Sequence, residues 1–386
     1  MTRYGKFLTE KSLAHYLKIQ KDEQCGGIFT RFNPDSSVQR EEKHVWFLGR
    51  SLWSYAMTYL HIEKKQEYLD MCECIFEFLK KIEFVDGRLP LWVTRTGELV
   101  GDIRGIYNEG FVAIGCAQYY RISGREDAKK FAEKCFDIMY DGYYALLGKR
   151  QNNPAEPVPT QVFGFNMAML KNAQFVRNAG IRVEKANELA TTCIERMHLH
   201  VDDKLKTVLE HSALPGYEVT PEMAHTCPGH VIEAAWFVLS EAEYRDDKEM
   251  ALFGKKLLDY SMPEGFEKTT KLIPTAMSPE DLYNFWRSDE VLAWPQQEAV
   301  IAYNLAYQMF GEEKYKELAD MVEAEATGYF IDDNEHRVYR SIKKSDPPAN
   351  ERTERGNHVE GPFHLERMLI AMDILLTDGS IKRYIS

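Results

Sequence analysis

No basic block interrupts this chain. Its 60 acidic residues outnumber 48 Lys and Arg, leaving a net charge of −12, and no Lys/Arg stripe marks a face for nucleic acid. Such an acidic surface mainly favours solubility. Long apolar runs are missing as well. The opening Met1-Thr2-Arg3-Tyr4-Gly5-Lys6 lacks the apolar core of a signal peptide, and no uninterrupted run reaches membrane-spanning length. Cysteine is scarce and odd in number, seven in 386 residues, mostly within helical patterns. That argues against a disulfide framework and for reduced thiols in the cytoplasm. Cys72 and Cys74 would face different sides of a helix, a poor metal clamp. There is no Gly-rich phosphate loop, no serine nucleophile elbow and no dinucleotide fingerprint. Nor does a Pro-, Gly- or Ser-rich linker divide the chain, so residues 1–386 are expected to form one domain.

What the chain does have is helical periodicity and aromatic rings, 21 Tyr, 20 Phe and 6 Trp. Rings stack on the C–H faces of sugars, although more often they fill cores. At 386 residues an ordinary compact core would tend to split, whereas repeats escape that limit. One pattern recurs: an apolar helix, a short charged or glycine turn, then a helix with one polar face. It reads as Glu109–Tyr120 with Ala128–Met139, Pro295–Met309 with Tyr315–Ala326, and Ala56–His61 with Tyr68–Leu79. His230–Tyr244 with Met250–Tyr260 and Phe165–Asn178 with Val183–His198 follow it. The last helix, Phe363–Leu376, finds its partner at residues 4–19. Six pairs spaced by roughly sixty residues predict a closed ring of helical hairpins, apolar helices inside. An open solenoid is the rival architecture, and the pair shared between the two ends of the chain favours closure. Residues 26–32 read as a strand or hairpin arm and 89–100 as a hairpin. Four long connections, at 148–161, 203–228, 263–290 and 331–361, are candidate functional loops.

Two of these loops deliver a histidine into the first turn of an inner helix: Cys227-Pro228-Gly229-His230 and Gly361-Pro362-Phe363-His364. Proline suits the first helical position. Near the positive end of the helix dipole an imidazole is expected to stay neutral, fit to act as a base. Each histidine alone reads first as a capping or packing residue. As a matched pair facing each other across a ring, they are what inversion at a C–H centre requires: one group removes a proton from one face, the other returns one to the opposite face.

Arg50 shares a helix face with Trp46 and Trp53. An inward arginine is costly unless it meets an anion or a developing oxyanion, with a buried salt bridge to Glu298 as the alternative. Glu298 lies four residues after Trp294, and Glu233 three after His230. Both are candidates to touch substrate or orient a histidine, with Glu109 and Arg104 behind them. His198-Leu199-His200 reads as a solvated pair rather than a metal site. His44, His225 and His358 read as loop supports.

Together, Trp46–Arg50–Trp53, Cys227-Pro228-Gly229-His230 with Glu233 and Trp236, Trp294-Pro295 with Glu298, and Gly361-Pro362-Phe363-His364 with Arg367 resemble the N-acylglucosamine 2-epimerase family. The resemblance runs from about Gly26 to Leu376, in order. It implies an all-α (α/α)6 barrel, with short β-hairpins in the rim loops. It also implies His230 and His364 as opposed catalytic histidines and Arg50 near the sugar O1/O2. Glu233, Glu298, Trp46, Trp294, Asn166, Glu109 and Arg367 are the expected substrate-binding residues. Three departures stand out. Cys227 replaces the family's usual Asn. Val291-Leu292-Ala293-Trp294 stands where Lys-x-Trp-Trp is usual. Leu170 occupies the place, four after Asn166, where sugar isomerases and cellobiose epimerases of the family carry a ring-opening histidine.

The last departure leans toward interconversion of N-acetylglucosamine and N-acetylmannosamine. The chemistry needs no metal or redox cofactor. ATP as an unconsumed activator is implied by the resemblance, with residues 149–154 as its candidate loop, and so is a homodimer. The alternatives are an aldose–ketose isomerase of the mannose isomerase type, a helical-barrel glycoside hydrolase or lyase using a carboxylate pair, and a non-catalytic protein-binding member of the same family.

Overall fold

A helix buried on all sides carries apolar residues all round, and one at a surface carries a stripe. The chain alternates the two kinds. The computed structural model describes residues 1–33, 36–103, 105–220, 224–263, 265–276, 289–332, 337–351, 359–360 and 362–385. Near the N-terminus, α1 (Arg3–Phe7) and α2 (Leu13–Ile19) are joined by a π-helical turn, Leu8–Ser12. Five hairpins follow: α3 (Val45–His61) with α4 (Gln66–Leu79), α5 (Tyr107–Ser123) with α6 (Glu126–Leu146), α7 (Phe163–Asn178) with α8 (Val183–Met197), α9 (Pro228–Arg245) with α10 (Lys248–Asp259), and α11 (Ala293–Phe310) with α12 (Glu313–Phe330). Then come α13 (His364–Asp378) and the short α14 (Lys382–Ile385).

The odd-numbered helices α3 to α13 form the inner ring. Each packs on the next, and α13 returns to α3, so the ring closes as an (α/α)6 barrel. Residues Val231 to Ala242 of α9 are buried without interruption. By contrast α8 buries only Ala186, Leu189, Ala190, Cys193, Ile194 and Met197, the spacing of one helical face. The turn after α5 relies on Gly124 and the turn after α11 on Gly311, both left-handed, which glycine adopts without a Cβ clash. At α10 the Asp247 carboxylate accepts the Met250 N–H and caps the helix. Closure between the chain ends is polar: the Thr2 N–H and hydroxyl donate to Asp373 of α13 at 2.6 and 2.7 Å. No described helix is long and apolar enough to cross a membrane.

Short antiparallel strands decorate one rim. Lys43–His44, Trp92–Val93 and Leu99–Val100 form a three-stranded sheet, which contains the expected 89–100 hairpin. Thr160–Val162 pairs with His211–Ala213, Glu290–Leu292 with Ser341–Lys343, and Arg31–Phe32 with Val359–Glu360. Strands 43–44, 160–162 and 290–292 each run directly into an inner helix. The decorated rim is therefore the one to which inner helices present their N-termini.

Candidate active site

A cavity of about 480 Å³ opens at this rim, a size suited to a small ligand. Its wall is built from the first turns of the inner helices: Trp46 on α3, Tyr107 on α5, Gly164 on α7, His230 on α9, Trp294 on α11 and His364 on α13. Six N-terminal ends converge there, and their dipoles favour negative charge in the space between them.

His230 and His364 come from different helices, and each ring centroid lies 5.6 Å from that of Trp294. Pro228 occupies the first turn of α9 as the sequence predicted. Gly229 lets Trp294 approach, since a Cβ there would lie 2.5 Å from the indole. Each histidine rests its Nδ1 on a carboxylate and so has Nε2 left for a reacting atom. Nδ1 of His230 is 3.1 Å from both oxygens of Glu210, which also accepts the Gly164 N–H. Nδ1 of His364 is 2.8 Å from Glu298.

The two pairs differ in charge. Burial works against a proton on His230, but the Cys227 sulfur and the Glu210 carboxylate outweigh it and raise the imidazole well above its ordinary range. This corrects the expectation of a neutral His230: the partner carboxylate overrides the helix dipole. Glu210 is buried yet held below the usual carboxylate range by the His230 imidazolium. His364 goes the other way. Burial lowers it, and the Arg367 and Arg50 guanidiniums lower it further, so it stays neutral. The charge of Glu298 is already engaged, because the Arg367 guanidinium donates to Glu298 and to Glu233.

Glu298 is therefore buried behind His364 and also accepts the Trp236 indole N–H at 2.9 Å. Of its two expected roles, it orients a histidine. Arg50 does not take the alternative salt bridge to Glu298. Its guanidinium lies in the cavity wall, 4.2 Å from the Phe111 ring centroid, 4.4 Å from Phe363 and 4.7 Å from Trp46, a cation–π cage.

The profile of the family described as N-acylglucosamine 2-epimerase (GlcNAc 2-epimerase) matches residues 27–356. The chain belongs to that family. It is 26% identical to the N-acylglucosamine 2-epimerase of Bos taurus over 390 residues, covering 96% of this chain and 89% of the relative. Among solved structures, a sugar epimerase from a ruminal bacterium superposes with TM-score 0.78 at 18% identity, covering 97% of this chain and 98% of that one. A D-mannose isomerase gives TM-score 0.77 at 18% identity, with 98% of each covered. At such identities the structures speak for a shared barrel.

Besides Glu298, two expected family positions fall outside the cavity wall. Asn166 is buried and accepts the Tyr143 hydroxyl at 2.8 Å, which ties α7 to α6. Glu109 is buried against Arg88 and the Leu89 N–H. The face of α7 that lines the cavity is instead Gly164, Met167, Ala168 and Lys171. Leu170 is buried in the core, so the comparison with a ring-opening histidine at that place loses its footing, although the true cavity face of α7 carries no histidine either. His200 is buried and hydrogen-bonded to Leu209, not solvated, and His198 stacks on Phe253. Arg104, His358 and Gly361 lie outside the described residues.

Three wall or support residues went unnoticed in the sequence. Glu210 sits in the long 203–228 connection, where no spacing relates it to His230. Lys171 lies under four rings, 4.1 Å from the Trp236 ring and 5.1 Å from Tyr384, and burial holds its amine well below the usual range. Glu366 accepts the Ser12 hydroxyl from the π-helical turn, and burial pushes its carboxyl up to about 7.

Proposed function

We propose that this protein is a sugar 2-epimerase that interconverts N-acetylglucosamine and N-acetylmannosamine through the open-chain aldose. The observation that carries this reading is the pair of histidines, each backed by a buried carboxylate and both facing one cavity from opposite charge states. The C1 aldehyde acidifies the C2 proton. Neutral His364 takes that proton from one face, at the near-attack distance of about 3–3.5 Å. Protonated His230 delivers its Nε2 proton to the opposite face. The enolate between the two steps is stabilised by Arg50 and by the converging helix N-termini. The enzyme then carries its proton on the other histidine, and exchange with solvent restores the starting state. Substrate walls are Trp46, Trp294 and Glu233.

Proton transfer alone does the work, so no metal or redox cofactor takes part. ATP as an activator rests on the family likeness. In its candidate loop Lys149 is exposed, while Arg150 and Asn152 are bonded within the loop. A homodimer rests on the same likeness. Residues 1–386 act as one catalytic domain. Seven unpaired thiols support a reducing compartment, the cytoplasm.

Proton NMR with N-acetylmannosamine in D2O, with and without ATP, tests the proposal. The expected product is N-acetylglucosamine carrying deuterium at C2, and either histidine changed to Asn is expected to lower kcat by about 10²–10⁴. Ketose formation from mannose or glucose with His230→Asn fully active would transfer the assignment to a one-base isomerase. Silence on every sugar would leave a binding role.

A further inference from the structure

Around His230 lies a second arrangement, which adds Cys227 to the Glu210–His230 pair that epimerisation uses. Glu210, Cys227 and His230 each offer one ligand atom, a carboxylate oxygen, Sγ and a ring nitrogen, all within 4.8 Å of one another. Three separate constraints hold them there. Glu210 is pinned because its N–H donates to the His225 carbonyl at 2.8 Å, just ahead of α9. Cys227 is the extended residue that caps α9, and its sulfur meets the Thr275 carbonyl at 3.6 Å. His230 follows three residues later, one turn into the helix. Cys227 and His230 are both half-buried, so the site is reachable from solvent.

The donor set is mixed: one thiol, one imidazole, one carboxylate. Those are the ligand types of a tetrahedral zinc centre with a fourth position for water. Bonds of about 2.0–2.3 Å hold tetrahedral donors roughly 3.5 Å apart, so three donors already within 4.8 Å of one another have little distance to close. A second trio, Glu233, Glu298 and His364, is equally compact. There the Arg367 guanidinium already donates to both carboxylates, and its fixed charge repels a dication. Among the described residues no lysine or arginine pairs with the Cys227 trio, which supplies a soft sulfur. Where the family usually carries Asn, this chain carries a metal-binding side chain.

We propose that Glu210, Cys227 and His230 form a binding site for a borderline-soft divalent cation of the Zn²⁺ type. On binding, the thiol proton and the Nδ1 proton of His230 leave to solvent, and the metal takes Sγ, Nδ1 and a Glu210 oxygen. With metal on Nδ1 and hydrogen on Nε2, the ring has no lone pair left to accept a proton from C2. The cation is thus an inhibitor of the reaction; this consequence, unlike the site itself, rests on the epimerase reading.

Co²⁺ is the probe. Titrated into the metal-stripped full chain, it is expected to give a sulfur-to-cobalt charge-transfer absorption at one equivalent, which Zn²⁺ displaces. Cys227→Asn is expected to abolish the band and weaken Zn²⁺ binding by more than about tenfold, while Cys25→Ser leaves both intact. Thermal melts of both variants establish that they are folded. No band in the wild type, a band that persists in Cys227→Asn, or one lost in Cys25→Ser would overturn the site. The sugar assay separates the two claims: Zn²⁺ should inhibit the wild type reversibly with EDTA, and Cys227→Asn, scored against its own activity, should need at least tenfold more. A protein that shows the cobalt band but turns over no sugar keeps the site and loses the epimerase.

Discussion

Two imidazoles, each resting on a carboxylate, hold opposite charges because their other neighbours differ: the Cys227 sulfur beside His230, the Arg367 and Arg50 guanidiniums beside His364. Both have a carboxylate on Nδ1, but Glu298 is already neutralised by Arg367, whereas Glu210 faces His230 with its charge intact. Removing that charge removes one cause and leaves the other, the Cys227 sulfur. In Glu210→Gln the proton on His230 is held less tightly, so its pKa falls. The proposed reaction needs His230 protonated and His364 neutral, so the alkaline limb of kcat/KM is expected to move to lower pH while the acid limb stays. A pH profile of the two proteins measures this, and coincident alkaline limbs would refute the role given to Glu210.

Glu366 supplies a prediction about stability. Its carboxyl titrates at about 7 when folded against an ordinary 4.5. Between these values the unfolded chain gives up a proton that the folded chain keeps. Stability therefore falls as pH rises through that window and is level on either side, by an amount on the order of 3 kcal/mol. Glu366→Gln has no such slope, so relative to wild type it gains up to about 3 kcal/mol from pH 5 to pH 8. Urea unfolding at the two pH values decides it. The sequence made His230 and His364 legible because a proline-containing loop preceded each. It could not disclose their charges, which depend on Glu210 and Arg367, residues distant along the chain from the groups they tune.

At the scale of elements, the site depends on how closely backbones approach. Gly164 in the first turn of α7 leaves room for the His230 ring, since a Cβ there would sit 2.6 Å from Nδ1 and 2.8 Å from Cε1. Gly164→Ala pushes the ring off Glu210 while leaving α7 helical. A displacement near 1 Å costs up to about a hundredfold in rate, so kcat should fall by at least tenfold with the melting temperature little changed. A variant with wild-type kcat would show that the ring has slack. The helices themselves were readable as alternating apolar and striped segments. Their phase was not: α7 is buried almost all round, from Phe163 to Arg177, so no polar stripe marks which side meets the cavity. For that reason the sequence points to Asn166 as facing the site and gives no sign of Lys171. The π-helical turn that aims Ser12 at Glu366 likewise leaves no periodic trace.

For the whole molecule, the barrel is a cup rather than a tube. Tyr384 of α14 is fully buried beneath the cavity, against Trp53 of α3, Phe175 of α7 and Trp236 of α9, with ring centroids at 6.2, 5.4 and 5.9 Å. Tyr384→Ala empties that floor. The expected cost is about 3–5 kcal/mol, read as a lower midpoint in urea with the slope unchanged. A loss below about 1 kcal/mol would mean that the floor collapses to fill the gap. Closure was legible because the unpaired final helix needed a partner that only residues 4–19 could supply. The plug was not, since four residues carry too little pattern to announce where they dock.

Because α13 closes the ring, the order of synthesis gains a meaning. At about 5–20 residues per second, five inner helices are made before the sixth, and until it arrives the seam between α3 and α11 has no cover. His364, Arg367 and Tyr384 all emerge in this last stretch, so a ribosome-bound chain holds a sticky, half-built barrel with one histidine of two. A premature stop anywhere before α13 yields a product that is inert and also marked, by its open seam, for chaperones and proteases.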